Sequence, residues 1–277
     1  MWLIFAVLTA ICWGLVLASV KRAYTSFSPT TFVVIGSVSA VGILLPFSLI
    51  NKAQFVLWPL LPVAIIVAAL FIFEFYALEK GKLSLTGTVL NMYPFFTLVF
   101  AALFLQESIS FLGKAGVGVI LLGLLLISLD NLQEFKNFKT KGWLLWGLAG
   151  ALATGFGDFL IKAMINYFDP YSYSLTFVIG WLTISMLLLI FDKKNFKMNF
   201  SKDFVYLCLG TIFLFSGYIF LHLALQAGLV SIVTPITSSA AVISLLLAFV
   251  WLKEKIFKHQ LIGALLIITG VIVVSTF

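Results

Sequence analysis

Ionisable side chains are scarce in this 277-residue chain, and the informative ones lie inside long apolar stretches. Burying a charge at the centre of a membrane helix costs about 2.5–3.5 kcal/mol on insertion scales, so each one needs a reason. Asp158 and Lys162 are four residues apart and share a helix face. Either they pair and Lys162 extends its amine to an interface, or Asp158 faces a cavity and binds a substrate amine or a proton. Glu74, near Glu79, Lys80 and Lys82, reads as a solvated helix end or as a second coupling acid. His222 follows Tyr218 by one turn and titrates near neutral pH. It is a proton site or a satisfied structural histidine. Asn91, Tyr93 and Thr97 flank Pro94, and Thr237, Ser238 and Ser239 fall in a corresponding later stretch. Polar groups gathered in apolar helices point to a shared cavity, with Trp13 and Tyr76 as aromatic walls. The expected substrate contacts are therefore Trp13, Tyr76, Asn91, Tyr93, Thr97, Asp158, Tyr218 and Ser238. The proton-coupling candidates are Asp158, Glu74 and His222.

These residues must be positioned by membrane helices. The chain is 62% hydrophobic and 10% charged, with a mean hydropathy of +1.18, which excludes an ordinary soluble domain. A bilayer crossing takes roughly 20 apolar residues. Charges and turn residues mark out such stretches at 2–20, 30–50, 56–78, 85–105, 111–129, 142–166, 172–191, 204–226, 231–252 and 260–276. The connections at 130–141 and 192–203 are too short to hold a soluble domain. The first stretch has no basic segment before it and no small-residue cleavage site, so it is expected to be retained.

The net charge of +7 is topological. Of the 17 Lys and Arg, all but Lys52, Lys114 and Lys162 fall in alternate connections on one side of the membrane. The positive-inside rule makes that side cytoplasmic and puts both termini outside.

The chain also repeats itself. At an offset of 147, Ala77/Ala224, Leu78/Leu225, Gly81/Gly228, Ser84/Ser231, Glu107/Glu254, Gly116/Gly263 and Gly123/Gly270 coincide without a gap. At an offset of 141, so do Trp2/Trp143, Gly14/Gly155, Lys21/Lys162 and Pro29/Pro170. Two units are expected, at 1–129 and 142–277, joined by a cytoplasmic linker at 130–141. Five spans per unit make the second enter the membrane inverted. Asp158 corresponds to Leu17, so the duplication does not account for it.

Small residues at helical spacing predict close helix packing. Ala6, Ala10, Gly14 and Ala18 form such a stripe in the first span, and Gly147, Ala151 and Gly155 in the sixth. The glycine pairs of the fifth and tenth spans predict packing between the halves or between protomers of a homodimer. Pro94 lies mid-span and leaves a carbonyl to be satisfied at depth, whereas Pro235 sits in the first turns of its helix. Glu107 and Glu254 are expected to cap the helices that follow them.

Ten spans in two repeats, the early Trp13-Gly14, the segments Tyr76-Ala77-Leu78 to Gly81 and Leu223-Ala224-Leu225 to Gly228, and the Glu in Leu105-Gln106-Glu107 and Leu252-Lys253-Glu254 together form a pattern. It resembles the drug/metabolite transporter superfamily, EamA-type branch, over essentially the whole chain. The resemblance implies two inverted bundles around a central cavity, peripheral fifth and tenth helices, and export of amino acids or other metabolites. Members are commonly described with cytoplasmic termini, the reverse of the orientation expected from the charges here. The small four-helix relatives couple protons through a Glu in their first helix, which has no acid here, so that role is not carried over.

No glycine loop precedes a Lys-Ser/Thr pair, so ATP is not the expected driver, and Cys12 and Cys208 suggest neither a disulfide nor a metal site. No enzyme activity, cofactor, metal or nucleic-acid partner is expected. The chain reads as an all-α, multi-pass protein of the inner cell membrane. Its expected activity is secondary transport of small polar or amphipathic metabolites by alternating access, driven by protons or by the substrate gradient. The rivals are a lipid flippase, a passive channel and an intramembrane lipid-modifying enzyme. A reporter that functions only outside the cytoplasm should be active when fused after Phe277; activity of a cytoplasm-only reporter there would reverse the orientation.

Overall fold

The computed structural model describes residues 1–80, 83–128 and 142–275; the expected linker at 130–141 lies outside them. All regular structure among the described residues is helical. The first half contains α1 (Trp2–Ala23), α2 (Pro29–Ile50), α3 (Leu60–Leu70), α4 (Ile72–Lys80), α5 (Leu83–Leu90), α6 (Tyr93–Phe100) and α7 (Phe111–Ser128). The second contains α8 (Gly142–Ile165), α9 (Pro170–Phe191), α10 (Lys202–Ala227), α11 (Val230–Thr237), α12 (Ala240–Leu252) and α13 (Lys258–Ser275). Seven stretches are long and apolar enough to cross a bilayer, including α3–α4 and α11–α12 as composite spans. Three shorter apolar stretches, Tyr93–Leu105, Phe111–Ile127 and Lys258–Val274, complete the ten.

Local chemistry sets the helix starts. Ser28 accepts a hydrogen bond from the Thr31 amide at 3.2 Å, and Pro29 opens α2. Asp169 accepts from the Tyr171 and Ser172 amides at 2.9 and 2.8 Å, and Pro170 opens α9. These are equivalent positions, and in both a side-chain oxygen satisfies orphan donors while proline supplies the preset φ.

Two contacts between helix ends fix the inversion. The last turn of α1 meets the first turn of α10 through Arg22 and Asp203, 3.9 Å apart, so these helices are antiparallel. The last turn of α8 meets the last turn of α10, where Lys162 donates to the Leu225 carbonyl at 2.7 Å, so these are parallel. The first helix of the second half therefore runs opposite to that of the first.

The repeat extends to backbone irregularities. The fourth span breaks at Asn91–Met92 and the ninth at Ser238–Ser239, which are equivalent at the offset of 147. Gln106 and Lys253, also equivalent, are left-handed with φ of 52° and 55°. The following amides of Glu107 and Glu254 reach back to the carbonyls of Ala101 and Ala248. The prolines differ in register, yet the breaks coincide.

The halves interleave instead of standing as separate bundles, because the most extensive packing is between them. α1 lies along α10, α13 along α7, and α9 along α2 and α3. The small-residue stripes form these seams. A Cβ on Gly14 would stand 2.6 Å from Ile243 and 3.2 Å from the Ala240 carbonyl. On Gly155 it would stand 2.7 Å from both Phe96 and the Tyr93 carbonyl, the equivalent atoms of the other repeat. α7 and α13 pack chiefly on each other, between the halves of one chain, through Gly116, Gly123, Gly263 and Gly270.

A Cβ on Gly123 would lie 2.6 Å from the Gly263 carbonyl oxygen, and the reverse holds equally. Gly123→Ala and Gly263→Ala should each cost about 1–3 kcal/mol and lower the thermal unfolding midpoint in detergent. Gly118→Ala, where a Cβ meets nothing within 4 Å, should leave the midpoint unchanged; equal effects at all three sites would contradict this packing.

Candidate functional site

The interruption of the fourth span creates the site. Pro94 cannot donate to a preceding carbonyl, and the chain turns at Asn91 and Met92 before α6 begins. Asn91 steadies the break by donating from Nδ2 to the Gly87 carbonyl at 2.6 Å. Tyr93 then reaches across to the broken ninth span. Its hydroxyl donates to the Thr234 carbonyl at 3.3 Å and shares a 2.5 Å hydrogen bond with Thr237 Oγ1. Two interruptions at equivalent depth are thus tied together by one phenol.

A cavity of about 40 Å³ lies beside this junction. Trp13 and Leu17 of α1, Phe71 and Glu74 of the third span, Asn91 and Tyr93 of the fourth, Thr154 of α8, and Tyr218 of α10 line it. Trp13 stands edge-on between Tyr93 and Tyr218, with ring centroids 6.2 and 5.9 Å away. Its indole fits because position 217 is glycine; a Cβ there would come within 2.7 Å of Nε1. Phe71 and Tyr218 are repeat partners and pack at 5.4 Å, as Trp13 and Thr154 are repeat partners across the cavity. The cavity therefore straddles the pseudo-twofold axis. The Thr154 hydroxyl donates to the Glu74 carboxylate and holds it against α8. The Trp13 Nε1 donor has no acceptor among the described residues.

Of the expected substrate contacts, Trp13, Asn91, Tyr93 and Tyr218 line one cavity, and the coupling candidate Glu74 lines it with them. The others do not line it. Asp158 lies one turn beyond Thr154, fully buried, with neither oxygen hydrogen-bonded among the described residues. It interacts electrostatically with Glu74, Tyr93, Tyr173 and Tyr218. The anticipated pair with Lys162 does not form, because that amine donates to the carbonyls of Leu225 and Gly228 at 2.7 and 2.9 Å. His222 is buried beside Tyr173, with Nδ1 2.7 Å from the Ser174 hydroxyl. Thr97 turns back to the Tyr93 carbonyl at 3.2 Å, and Ser238 to the Pro235 carbonyl at 2.6 Å. Both satisfy their own interrupted helix. Tyr76 is a correction of place: it stacks on Trp146 at 5.5 Å and bonds Asp192 at 3.2 Å, at the lysine-rich end of its span. Glu107 is another: its carboxylate caps α11 of the opposite half, accepting from the amides of Val230 and Ser231 at 3.1 and 2.9 Å. Thr154 and Phe71 were missed, although each is the repeat partner of an expected site residue.

Beyond the central site, an apolar cavity of about 410 Å³ is lined by Leu70, Phe73, Phe100, Leu152 and Phe156, among others. It shares no lining residue with the central one.

Comparison with known proteins agrees with this architecture. The model of the EamA-like transporter family matches residues 1–129 and 141–276. A Bacillus anthracis protein named "Putative sugar uptake protein" is 27% identical over 99% of both chains. An Archaeoglobus fulgidus protein named "Uncharacterized transporter" is 22% identical over 99% of this chain and 98% of its own. A shorter Methanocaldococcus jannaschii protein is 29% identical over 48% of this chain and 95% of its own length. One crystal structure superposes with a TM-score of 0.79 at 16% identity, covering 98% of this chain and 95% of the other, and so shares the fold. A central cavity between interleaved, inverted helices and a family match over both halves lead to one conclusion: the chain belongs to the EamA-like transporter family, a family of multi-pass membrane proteins.

Proposed function

We propose that the protein is a secondary carrier of small, uncharged, polyhydroxylated metabolites, and that the cavity at Trp13, Glu74, Asn91, Tyr93, Thr154 and Tyr218 is its substrate site. The carrying observation is the composition of that wall: aromatic rings and aliphatic side chains with one carboxyl, one amide and hydroxyls, and no Lys or Arg among the described residues that line it. Aromatic faces suit the C–H surfaces of a sugar ring, while Glu74, Asn91 and the Trp13 Nε1 donor suit its hydroxyls. An amino-acid carboxylate or a phosphate would find no cation there, which narrows the amino-acid and amphipathic classes expected from sequence. The sugar-uptake name of the Bacillus relative is in keeping with this class.

A cavity of about 40 Å³ holds only a few waters, whereas ligand sites usually span about 300–1,000 Å³. Substrate must therefore enter a more open state, as alternating access of two inverted units requires. An alternating carrier is reversible, so net export or uptake follows the gradients. The apolar side cavity has no lining residue in common with the central site, which favours a carrier of polar solutes over a lipid flippase. Glu74, held by Thr154, and Asp158, one turn beyond Thr154 on α8, are the coupling acids of this reading, with His222 a further candidate. The lysine-rich face is cytoplasmic in the same reading.

Thermal unfolding of the purified protein should shift with neutral sugars or polyols. A ligand at 100-fold its Kd stabilises the folded state by about 2.7 kcal/mol. Stabilisation by sugar phosphates or amino acids alone would sink the proposed class. For coupling, Glu74→Gln in proteoliposomes should weaken substrate affinity about tenfold, as loss of a charge-assisted hydrogen bond does, and should leave exchange insensitive to an imposed pH gradient. Asp158→Asn should impair gradient-driven transport at near-normal membrane levels. An unaltered response to the gradient in both variants would assign the carboxyls a structural role.

A further inference from the structure

Outside the central site, the duplication relates four charged residues in pairs: Lys21 with Lys162, and Glu107 with Glu254. Their contacts obey the same symmetry. Lys162 donates to the Leu225 carbonyl at 2.7 Å, and Lys21 donates to the Leu78 carbonyl at 2.9 Å. Leu78 and Leu225 are themselves repeat partners. Each lysine thus ends the first helix of its own half and grips the last turn of another helix of that half, beside the connection to the broken span. Glu107 is in electrostatic reach of Lys162, and Glu254 of Lys21. Each Glu follows the left-handed residue that ends a broken span.

The two clusters lie at opposite faces. The cluster of Lys162 and Glu107 clasps the connection between α10 and α11. Lys162 satisfies the Leu225 and Gly228 carbonyls that α10 leaves open, while Glu107 satisfies the first amides of α11 and accepts the Ser231 hydroxyl at 2.5 Å. Lys162 belongs to the second half and Glu107 to the first, so the clasp joins the halves at the lysine-poor face. At the lysine-rich face Lys21 ties α1 to α4 within the first half, and Glu254, just beyond the end of α12, lies within electrostatic reach of it from the second half.

We propose that these are the two gates of the carrier: a Lys–Glu latch at each membrane face, built from equivalent residues, with one released while the other holds. The reason is physical. Opening either face must part a helix connection from the end of a span in the other half. At the lysine-poor face Glu107 joins those ends by accepting from backbone amides of the other half, and at each face a lysine holds a carbonyl beside the junction; water could equally well satisfy these backbone groups once the face is open. A latch of this kind has two discrete arrangements, and so biases the population of access states. The proposal rests on alternating access but not on the substrate class.

The test is accessibility of the central cavity from each face. Leu214 of α10 also lines the central cavity, so in a background of Cys12→Ala and Cys208→Ala, Leu214→Cys places a thiol in its wall. Its labelling rate by a membrane-impermeant maleimide is read in vesicles of both orientations. Glu107→Gln and Lys162→Met should raise labelling from the lysine-poor face roughly tenfold, the scale of one lost charge-assisted bond, and lower it from the other. Glu254→Gln and Lys21→Met should do the reverse, and Glu107→Gln with Glu254→Gln should return towards the parent. Should Glu107→Gln fail to accumulate in the membrane, Ser231→Ala removes one of its three bonds and should shift labelling in the same direction. Labelling that moves the same way for both Glu variants, or that stays unchanged while thermal stability falls, would make the clusters structural caps and overturn the latch. Labelling from one face alone in the parent and in every variant would instead overturn alternating access, and the latch with it.

Discussion

In hydrocarbon, every interrupted backbone donor or acceptor must find its partner inside the protein, and the arrangement of this molecule follows from that requirement. The fourth and ninth spans both break near mid-membrane, at Asn91–Met92 and Ser238–Ser239. Asn91, Thr97 and Ser238 fold back onto carbonyls of their own spans, while Tyr93 crosses to the carbonyl of Thr234. The broken helices cannot be moved to the periphery, because their backbone would meet lipid. They are held at the centre, where the cavity is.

Close packing around those breaks depends on glycine. Gly14 admits Ile243 and the Ala240 carbonyl, and Gly155 admits Phe96 and the Tyr93 carbonyl, so the first helix of each half lies against the broken span of the other. Apolar side chains gain little from leaving lipid for another helix, which makes backbone approach and dispersion the main attraction between spans. The result is a molecule whose halves are interleaved.

The central cavity combines hydrogen-bonding groups with rings that cannot be wetted easily. Glu74 is held by Thr154, and Trp13 keeps a free donor between two phenols. Asp158 stands one turn further along α8, buried and without a hydrogen-bond partner among the described residues. A carboxyl kept in that setting is costly.

Hydropathy, charge alternation and the offset of 147 were legible without coordinates, because they depend on neighbours a few residues away or on comparing the chain with itself. They yielded the ten spans, the duplication and the glycine seams, and of the expected substrate contacts Trp13, Asn91, Tyr93 and Tyr218 line the cavity. The partners of charged side chains were not legible. Asp158 and Lys162 have ideal spacing for a helical pair, yet Lys162 is drawn to the open carbonyls of α10. Glu107 stands just before α7, yet it caps α11, more than a hundred residues away in the chain. Tyr76 has the character of a cavity wall, yet its place near the end of its span brings it to Asp192. Periodicity and composition determined which segments cross the membrane and which faces are small; tertiary structure alone decided which ends meet, because an unsatisfied backbone group takes the nearest charge in space, not the nearest in sequence.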